Sequence, residues 1–360
     1  MDTLSEQIRN TVKHASIRAR GESIARRSSK SLTKPAAAWT GPSRIGLIQG
    51  TALSIVLSSI GCAHARSSEG GCTMCSYLLD GSDKNPTEEE LLLQFQSAMS
   101  KLDKQTAPLS VKIYTSGSFL DSDEIPASAR NQMLEFISND DRIKEVVLES
   151  RPEYVTDSVL TEVRRILGER QVELGIGLES SSDIVRSLCV NKNFDLRSFA
   201  LSVNTAKRYG IGTRAYVLLK PPFLTERSAL LDAQKTVMDA LTLGVSTISL
   251  NPVNVQRNTL VEELWERGKF RPPWLWSVVE VLRYAHRAAG RTLNIVCDPV
   301  GAGKSRGTHN CGKCDASILD AIRRFSLDQD VRAFDSLTCD CRMLWQHVLE
   351  HEDVSLQTHT

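Results

Sequence analysis

The chain has 360 residues, of which 41% are hydrophobic and 24% are charged, and it carries a formal net charge of +1. This is the composition of an ordinary globular protein with ample apolar material for a large core. The near-zero charge excludes nucleic-acid binding through overall electrostatics, so any basic surface must be local.

The sequence gives no sign of a targeting signal or a membrane span. The N-terminus mixes acidic and basic residues without an apolar core, which is unlike a secretory signal. The most apolar stretch, residues 45–63, is interrupted by Gln49, Thr51, Ser54, Ser58 and Ser59. A membrane helix needs about 20 predominantly apolar residues. We therefore predict a cytoplasmic protein that makes no contact with a membrane.

The first predicted region, residues 1–44, is a basic N-terminal arm. Between residues 1 and 35 it sets three acidic residues against eight lysines and arginines, which are Arg9, Lys13, Arg18, Arg20, Arg26, Arg27, Lys30 and Lys34. Such a segment is typical of a solvated tail or an exposed helix. The functional alternative is an arm that contacts phosphate groups.

Between residues 45 and 255, short β-rich runs alternate with longer helical patterns. The predicted strands are 52–57, 111–115, 145–148, 172–178, 214–219 and 246–250, and the predicted helices are 88–102, 126–137, 157–169, 196–209 and 226–243. This alternation predicts an α/β fold with a parallel sheet. Six units are too few for a closed barrel, which favours a partial (β/α)6 TIM-like barrel, with a doubly wound sheet as the alternative. Both folds place the chemistry at the C-terminal ends of the strands.

Three cysteines directly follow the first predicted strand. Cys62, Cys72 and Cys75 have the spacing Cys-x9-Cys-x2-Cys. Thiolates are the usual ligands of iron–sulfur clusters, and three of them leave a fourth iron open for another ligand. The glycines between them would let the loop wrap closely around an inorganic core. The alternative is a zinc site that His64 completes.

Polar residues also follow the other predicted strands. They are the Ser116–Gly117 turn after the second strand, Glu149 after the third, Glu179 and then Lys192 after the fourth, Lys220 after the fifth and Asn251 after the sixth. One such residue alone would be a surface cap or an ion pair. Because parallel strands end at the same edge of a sheet, the set predicts one shared site.

The last predicted region, residues 256–360, is a C-terminal extension with a second group of cysteines. Cys311-x2-Cys314 and Cys339-x-Cys341 supply four thiolates, which suits a closed tetrahedral zinc site that clamps the tail to the barrel. Cys297 and His309 are reserve ligands. The alternatives are packing cysteines without a metal, or a second iron–sulfur cluster.

Two other motifs of the extension are less informative. Gly301-Ala-Gly-Lys304-Ser305 resembles the end of a phosphate loop, but Asp298 stands where a phosphate loop needs glycine. We reject nucleoside triphosphate binding there, while contact with RNA phosphate remains open. Trp274 and Trp276 follow a double proline and could stack on RNA bases, although packing at a helix start is the simpler interpretation.

The combined motifs resemble one protein family. A three-cysteine loop after the first strand, a Gly/Ser turn after the second and acids after the third and fourth resemble a radical S-adenosylmethionine (SAM) domain. The x9 spacing is similar to radical SAM enzymes of the tRNA-elongator type. Several runs resemble the archaeosine synthase β-subunit family closely over about residues 38–345, among them GGCTMCSY, YTSGSFLD, ESRPEYV, GIGLESS, LLKPPFLTE, NPVNVQ, RPPWLW and CDPVGAG.

The resemblance implies a role for each site residue. Catalysis would depend on a [4Fe–4S] cluster on Cys62, Cys72 and Cys75, whose open iron is chelated by the amino and carboxylate groups of SAM. The implied SAM contacts are Met74 beside the adenine, Ser116 and Gly117 at the amino group, Glu149 and Glu179 at polar groups that include the ribose, and Lys192 at the carboxylate.

The resemblance also implies a reaction and its partners. The reduced cluster would split SAM into methionine and a 5′-deoxyadenosyl radical. The substrate would be a tRNA whose D-arm carries 7-cyano-7-deazaguanine with an attached lysine, placed there by the transglycosylase-like archaeosine synthase α subunit. Cleavage of a C–N bond by this lyase would leave the formamidine of archaeosine, and a low-potential electron donor would be required.

Two alternative functions remain at the level of sequence. One is another radical SAM reaction on RNA, of the methylthio-transfer or acyl-transfer type. The other is a non-catalytic RNA-binding protein with a zinc knuckle, which predicts neither iron nor SAM cleavage.

Overall fold

The computed structural model describes residues 3–25, 31–79, 81–82, 84–290 and 293–352. For residues 22–25 it describes the backbone alone. Arg26, Arg27 and Lys30 of the predicted arm lie outside the described residues.

The described part of the chain forms eight strands and eleven α-helices. The strands are β1 (Ala37–Ile45), β2 (Ile48–Val56), β3 (Leu109–Tyr114), β4 (Ile143–Ser150), β5 (Gln171–Glu179), β6 (Gly212–Leu219), β7 (Thr247–Pro252) and β8 (Asn294–Val296). The helices are α1 (Thr3–Ala25), α2 (Ala63–Arg66), α3 (Glu88–Met99), α4 (Ala127–Ser138), α5 (Asp157–Leu167), α6 (Leu196–Arg208), α7 (Glu226–Leu243), α8 (Leu260–Glu266), α9 (Leu275–Ala289), α10 (Asp315–Asp328) and α11 (Cys341–His351). A π-helix spans Val185–Val190.

The strands form one curled sheet in chain order, from β1 to β8. β1 and β2 make an antiparallel hairpin, and every later neighbour is parallel. Parallel neighbours need a crossover between them, and the helices provide it. The predicted α/β partial barrel is thereby confirmed, and the doubly wound alternative, in which the strand order would reverse, is wrong.

The six predicted strands correspond to β2–β7, and the sheet has two further strands. β1 contains Gly41 and Pro42, which are unusual within strands. The sequence therefore did not predict this strand, and most of its residues were included in the basic arm. β8 has only three residues, too few for a periodic pattern. The sheet thus continues past residues 44 and 255, the predicted boundaries, and the division of the chain into three regions stays a prediction.

Capping residues define the ends of several helices. Thr87 and Glu90 form a reciprocal capping box at α3, and the Thr225 side chain caps α7. Gly244 ends α7 with a φ of 82°, a left-handed conformation that glycine adopts without strain. These signals explain why the helix boundaries were predictable to within a few residues.

The two faces of the sheet differ in polarity. One face carries apolar residues such as Val111, Ile113 and Val146, which form a buried core together with apolar residues of the helices. Residues on the other face are polar, as in the buried ion pair between Arg214 and Glu173, whose N···O distance is 2.8 Å. The polar face lies inside the curl, so the sheet encloses a hydrogen-bonded interior below the strand ends.

The N-terminal helix is not a solvated arm. Val12, Ser16 and Arg20 of α1 are at most 5% exposed, and the helix contacts the π-helix and α8. The expectation of a solvated tail is therefore wrong for residues 3–21, which form a helix with one exposed face and one face packed against the rest of the protein.

Candidate active site

The three predicted cluster cysteines lie in one loop, residues 61–77, which we call the cluster loop. It follows β2 at the C-terminal end of that strand, and Cys62 precedes the short helix α2. The backbone N–H of Cys62 donates to the carbonyl of Ser116 at 3.2 Å. All three cysteines are half-buried free thiols. The loop therefore lies beside the predicted Ser116–Gly117 turn at the mouth of the partial barrel.

The cluster loop is fastened to the segment that follows β5. Thr73 donates to the carbonyls of Val190 and Cys189 through its backbone N–H (3.0 Å) and its hydroxyl (2.7 Å). Asn191, in the left-handed conformation, donates from Nδ2 to the carbonyls of Glu69 (2.7 Å) and Gly71 (2.8 Å). The π-helix and Asn191 thus form one wall of the loop.

His64 is part of this fastening. Its Nε2 lies 2.6 Å from the carbonyl oxygen of Asn191, and burial lowers the pKa of His64 to about 4. Within the described ranges, neither His64 nor the cluster-loop cysteines belong to a group of three potential metal ligands whose donor atoms lie within 4.8 Å of one another. The geometry gives no support to the zinc site that His64 would complete.

The sequence interpretation missed Glu124, which joins two parts of the site. Glu124 accepts hydrogen bonds from the Ser59 hydroxyl and from the backbone N–H of Ser118 at 2.6 Å. Burial raises the pKa of its carboxyl. The signal was present in the sequence as an acid shortly after the Gly/Ser turn, but its partner Ser59 lies 65 positions away along the chain.

Gly117 lies where a larger residue would not fit. A Cβ added there would lie 2.6 Å from Cys62 Cα and would also strike the Glu124 carboxylate. The turn therefore approaches the cluster loop as closely as only glycine allows.

The predicted acids and Lys192 occupy neighbouring strand ends. Glu149 accepts a hydrogen bond from the Thr115 backbone at 3.3 Å, and burial raises its pKa to about 8. Lys192 Nζ lies 2.7 Å from Glu179 Oε1. A Cβ at Gly177 would lie 2.4 Å from that same oxygen, so the ion pair occupies the space above the glycine.

Arg151 is a second residue that sequence reasoning did not assign. Its guanidinium donates to the Lys192 carbonyl at 3.2 Å and to Glu153 at 2.6 Å. Burial raises the pKa of the Cys62 thiol, and the positive charge of Arg151 opposes that rise. Arg151 therefore places a cation near the first cluster cysteine.

The loop after β7 closes the other side of the site. Gln256 Oε1 accepts a hydrogen bond of 2.7 Å from the backbone N–H of Ser76, just after the third cysteine. Met74 packs against an apolar group of buried side chains, formed by Val190, Leu218, Val253, Val255, Val261 and Phe270. Met74 thus has an apolar environment beside the cysteines.

Two strand-end residues differ from the rest of the predicted set. Lys220 is 2% exposed and forms ion pairs with Glu226 (2.8 Å) and Glu352 (3.2 Å). Asn251 lies 3.3 Å from the hydroxyl of Ser249 on its own strand. Lys220 therefore has a structural role, because its ion pair with Glu352 joins the end of β6 to the end of α11.

The residues present fit an iron–sulfur cluster with SAM. Ser116 Oγ, His64 Nδ1 and Asn191 Oδ1 are buried polar atoms without a hydrogen-bond partner in the described structure. Buried polar groups are normally satisfied, so these atoms around a three-thiol loop are suited to a polar ligand.

The second cysteine group converges as predicted. Cys311, Cys314, Cys339 and Cys341, which we call the cysteine knuckle, have donor atoms within 4.8 Å of one another. The separations of Cys311 Sγ from Cys314 Sγ and Cys339 Sγ are 3.9 and 3.6 Å, and Cys314 Sγ lies 3.6 Å from Cys341 Sγ. Tetrahedral zinc with Zn–S bonds of ~2.3 Å requires S–S separations of ~3.8 Å.

The reserve ligands lie elsewhere. The backbone of Cys297 bonds the hydroxyl of Ser326, and His309 Nδ1 lies 2.7 Å from the carbonyl oxygen of Gly307. The indole N–H of Trp276 instead donates to Cys341 Sγ at 3.3 Å.

The two less informative motifs are structural. Trp274 and Trp276 are 5% and 3% exposed at the start of α9, so stacking on RNA bases is wrong and packing at a helix start is confirmed. The loop at residues 301–305 leads into turns rather than a helix, which agrees with rejecting a phosphate loop.

No helix in the described ranges has both the length and the apolarity to cross a membrane. No family model matches the chain.

Comparison with known proteins gives close relatives. The chain is 42% identical over 325 residues to archaeosine synthase subunit beta of Methanosarcina acetivorans, covering 90% of this chain and 92% of the relative. It is 36% identical over 314 residues to archaeosine synthase subunit beta of Thermococcus kodakarensis, covering 87% and 96%.

Solved structures give similarity in fold. One of them is an Elp3 of Methanocaldococcus infernus lacking residues 1–46, with a TM-score of 0.50 and 16% sequence identity. The match covers 66% of this chain and 59% of the Elp3 chain, so about two fifths of the Elp3 chain have no counterpart in this protein.

Proposed function

The chain belongs to the archaeosine synthase subunit beta family, and from this premise we propose that it is a radical SAM enzyme of tRNA modification, the C–N lyase that completes archaeosine. Its substrate is a tRNA with a lysine adduct of 7-cyano-7-deazaguanine in the D-arm. The archaeosine synthase α subunit supplies that adduct, and a low-potential donor supplies electrons. We place the reaction in the cytoplasm.

The observation that carries the proposal is the convergence at the barrel mouth. The cluster loop holds three half-buried thiols, next to buried polar atoms without partners and to acids at the ends of β4 and β5. A thiol-rich site that also offers unsatisfied polar groups suits a cluster that binds a polar cofactor.

Cys62, Cys72 and Cys75 would hold the [4Fe–4S] cluster, and the residues around them would orient SAM. When bound, the cluster and SAM would supply the radical chemistry that removes hydrogen from the lysine carbon beside the linking nitrogen. Ser116 and Gly117 receive the amino group of SAM, and Lys192 its carboxylate. Each of these positions borders the cluster loop or its wall.

The acids and Met74 complete the cofactor site. Glu149 and Glu179 bind polar groups of SAM, including the ribose. A raised pKa leaves Glu149 largely protonated at neutral pH, so that it donates as well as accepts a hydrogen bond. Met74 provides an apolar surface for the adenine.

The cysteine knuckle would bind a structural zinc ion. Its sulfur separations of 3.6–3.9 Å match tetrahedral coordination. Cys341 begins α11, and Glu352 at the end of that helix pairs with Lys220 beside β6. Zinc binding would thereby fasten the C-terminal helix to the barrel.

Anaerobic reconstitution with iron and sulfide tests the proposal. We expect iron bound at the cluster loop, 5′-deoxyadenosine formation with dithionite and SAM, and archaeosine on adduct-bearing tRNA by nucleoside mass analysis. SAM cleavage without archaeosine would exclude the lyase reaction and favour another radical SAM modification. Absence of both iron and SAM cleavage would favour the RNA-binding alternative.

A further inference from the structure

The N-terminal helix α1 is packed against the region that carries the cluster loop. It contacts the π-helix, α8 and the turn Tyr77–Leu79 that ends the loop. Two partly buried cations of the helix, Arg9 and Lys13, pair with Glu69 inside the loop at 3.2 and 2.8 Å. The sequence predicted that this arm contacts solvent or phosphate. Three of its basic residues, Arg9, Lys13 and Arg20, instead contact the cluster loop.

Arg20 makes the most buried of these contacts. Its side chain is 2% exposed, and its guanidinium donates to the carbonyl of Gly70 and to those of Cys72 and Cys75 at 2.9 and 3.1 Å. One planar group therefore fixes the backbone at two cluster cysteines. Lysine lacks this fork of donors.

The glycine pair in the loop accommodates this helix. Gly70 and Gly71 have φ values of 75° and 71°. A Cβ at Gly70 would lie 2.4 Å from Ile17 Cγ1, and one at Gly71 would lie 2.8 Å from Arg20 Nη1. The sequence interpretation attributed these glycines to wrapping around an inorganic core. The structure shows that they allow the close approach of α1.

Among the described residues, the charge of Arg20 has no acidic partner. None of the ion pairs formed by the described residues includes Arg20, and its acceptors are backbone carbonyls. Burying a cation is costly unless a negative charge compensates it. Thiolate ligands at Cys72 and Cys75, whose carbonyls it already holds, would supply that charge.

We propose that Arg20 is a positioning residue of the iron–sulfur site and that α1 is a permanent clamp on the cluster loop. The guanidinium holds the backbone of Cys72 and Cys75 in the geometry that binds the cluster, and its charge favours the reduced, more negative state. This inference rests on the proposed function, namely that these cysteines bind the cluster.

The first test measures retention of iron. Full-length wild type, Arg20→Met, Arg20→Lys and the control Arg18→Met, which alters an exposed arginine of the same helix, are reconstituted anaerobically and treated with a chelator. Because hydrogen bonds from a charged donor contribute more than neutral ones, we expect iron to leave Arg20→Met about tenfold faster or more. Arg20→Lys should be intermediate and Arg18→Met like wild type.

The second test measures the midpoint potential of the cluster. Arg20→Met should have a lower potential than wild type because a nearby positive charge is lost, whereas Arg20→Lys should remain close to wild type. A purely structural role of Arg20 predicts no such difference. The zinc content of each preparation, which reports on the separate cysteine knuckle, checks that the variants fold.

The outcomes distinguish this inference from the function. Wild type that binds no iron would overturn the proposed function and the clamp together. Wild type that binds iron and cleaves SAM, with Arg20→Met retaining iron and potential unchanged, would overturn the clamp alone. Loss of iron in Arg20→Met with partial rescue by lysine would support it.

Discussion

The cluster loop and the cysteine knuckle are both rich in thiols, and they differ in how complete they are. The four sulfurs of the knuckle already lie at zinc-like separations and receive hydrogen bonds from neighbours such as Trp276 and Asn310. The cluster loop has three thiols that do not form such a group, amid buried polar atoms without partners. A structural metal site is closed by its protein, whereas a catalytic one leaves a position for a ligand.

The largest expected effect comes from exchanging one cysteine in each region. Cys72→Ser should abolish iron binding and SAM cleavage because the cluster loses one of three ligands, while zinc content and stability change little. Cys314→Ser should remove zinc and lower the melting temperature by at least about 5 °C, since metal binding contributes to folding. Iron, zinc and thermal denaturation are measured on the same preparations.

The reciprocal result would break the comparison. Turnover that survives Cys72→Ser would show that the cluster loop is not the iron site. Full stability of Cys314→Ser without zinc would show that the knuckle does not clamp the chain.

The second expected effect is on the pH dependence of stability, which the buried carboxyl of Glu149 should change. Burial raises the pKa of Glu149 from 4.5 to about 8. A carboxyl whose pKa is higher in the folded than in the unfolded state does not destabilise the fold at pH values below its unfolded pKa. As the pH rises from there toward about 8, it destabilises the fold increasingly. Glu149→Gln should therefore gain stability relative to wild type, by at most ~1.4 kcal/mol per pH unit within that window.

Urea unfolding of the metal-free protein at pH 5 and pH 8 measures this difference. Asp330→Asn is a useful control because Asp330 is a partly exposed acid whose pKa the Arg332 side chain lowers to about 2, so it does not titrate between these pH values. Equal pH dependence in wild type and Glu149→Gln would contradict the raised pKa.

A third effect tests how tightly the turn after β3 meets the cluster loop. Gly117→Ala should lower stability by about 1–3 kcal/mol, as overpacking does, and should impair iron retention because the new methyl group displaces Cys62. Gly41→Ala is the matched control, since a Cβ at Gly41 meets no atom within 4 Å. Chemical denaturation and iron content measure both effects.

Normal iron content in Gly117→Ala would mean that the turn yields easily. The zinc content of the knuckle should remain unchanged in either variant.

The smallest expected effect is at the partly exposed ion pairs between α1 and the cluster loop. Glu69→Gln removes the ion pairs with Arg9 and Lys13, which are partly exposed. Such pairs contribute roughly 0–1 kcal/mol each, so iron loss should accelerate less than in Arg20→Met and only at low salt. Chelation at two salt concentrations measures this, and a salt-independent effect would contradict it.

The sequence revealed those parts of the molecule that depend on local patterns. The strand–helix alternation predicted β2–β7, and the spacing of Cys311, Cys314, Cys339 and Cys341 selected the set that converges. Motif position placed the cluster loop at the first parallel strand. These features are encoded within short segments, where periodicity and spacing are readable.

The parts that escaped prediction depend on contacts between distant segments. Glu124 meets Ser59, 65 positions away, and Arg20 meets Cys75, 55 positions away. The sequence offered His64 as a zinc ligand, but its Nε2 contacts the distant carbonyl oxygen of Asn191. No local pattern specifies such partners, so a buried arginine in a basic arm looks like a solvated one until the fold is known.

The strand order has a consequence for how the protein is assembled. Each strand pairs with the one made just before it, so the sheet can grow stepwise as the chain leaves the ribosome. The partners of the cluster loop are instead scattered, from Arg20 to Asn191 and Gln256. The cluster loop therefore acquires its full set of contacts only after about 256 residues have emerged.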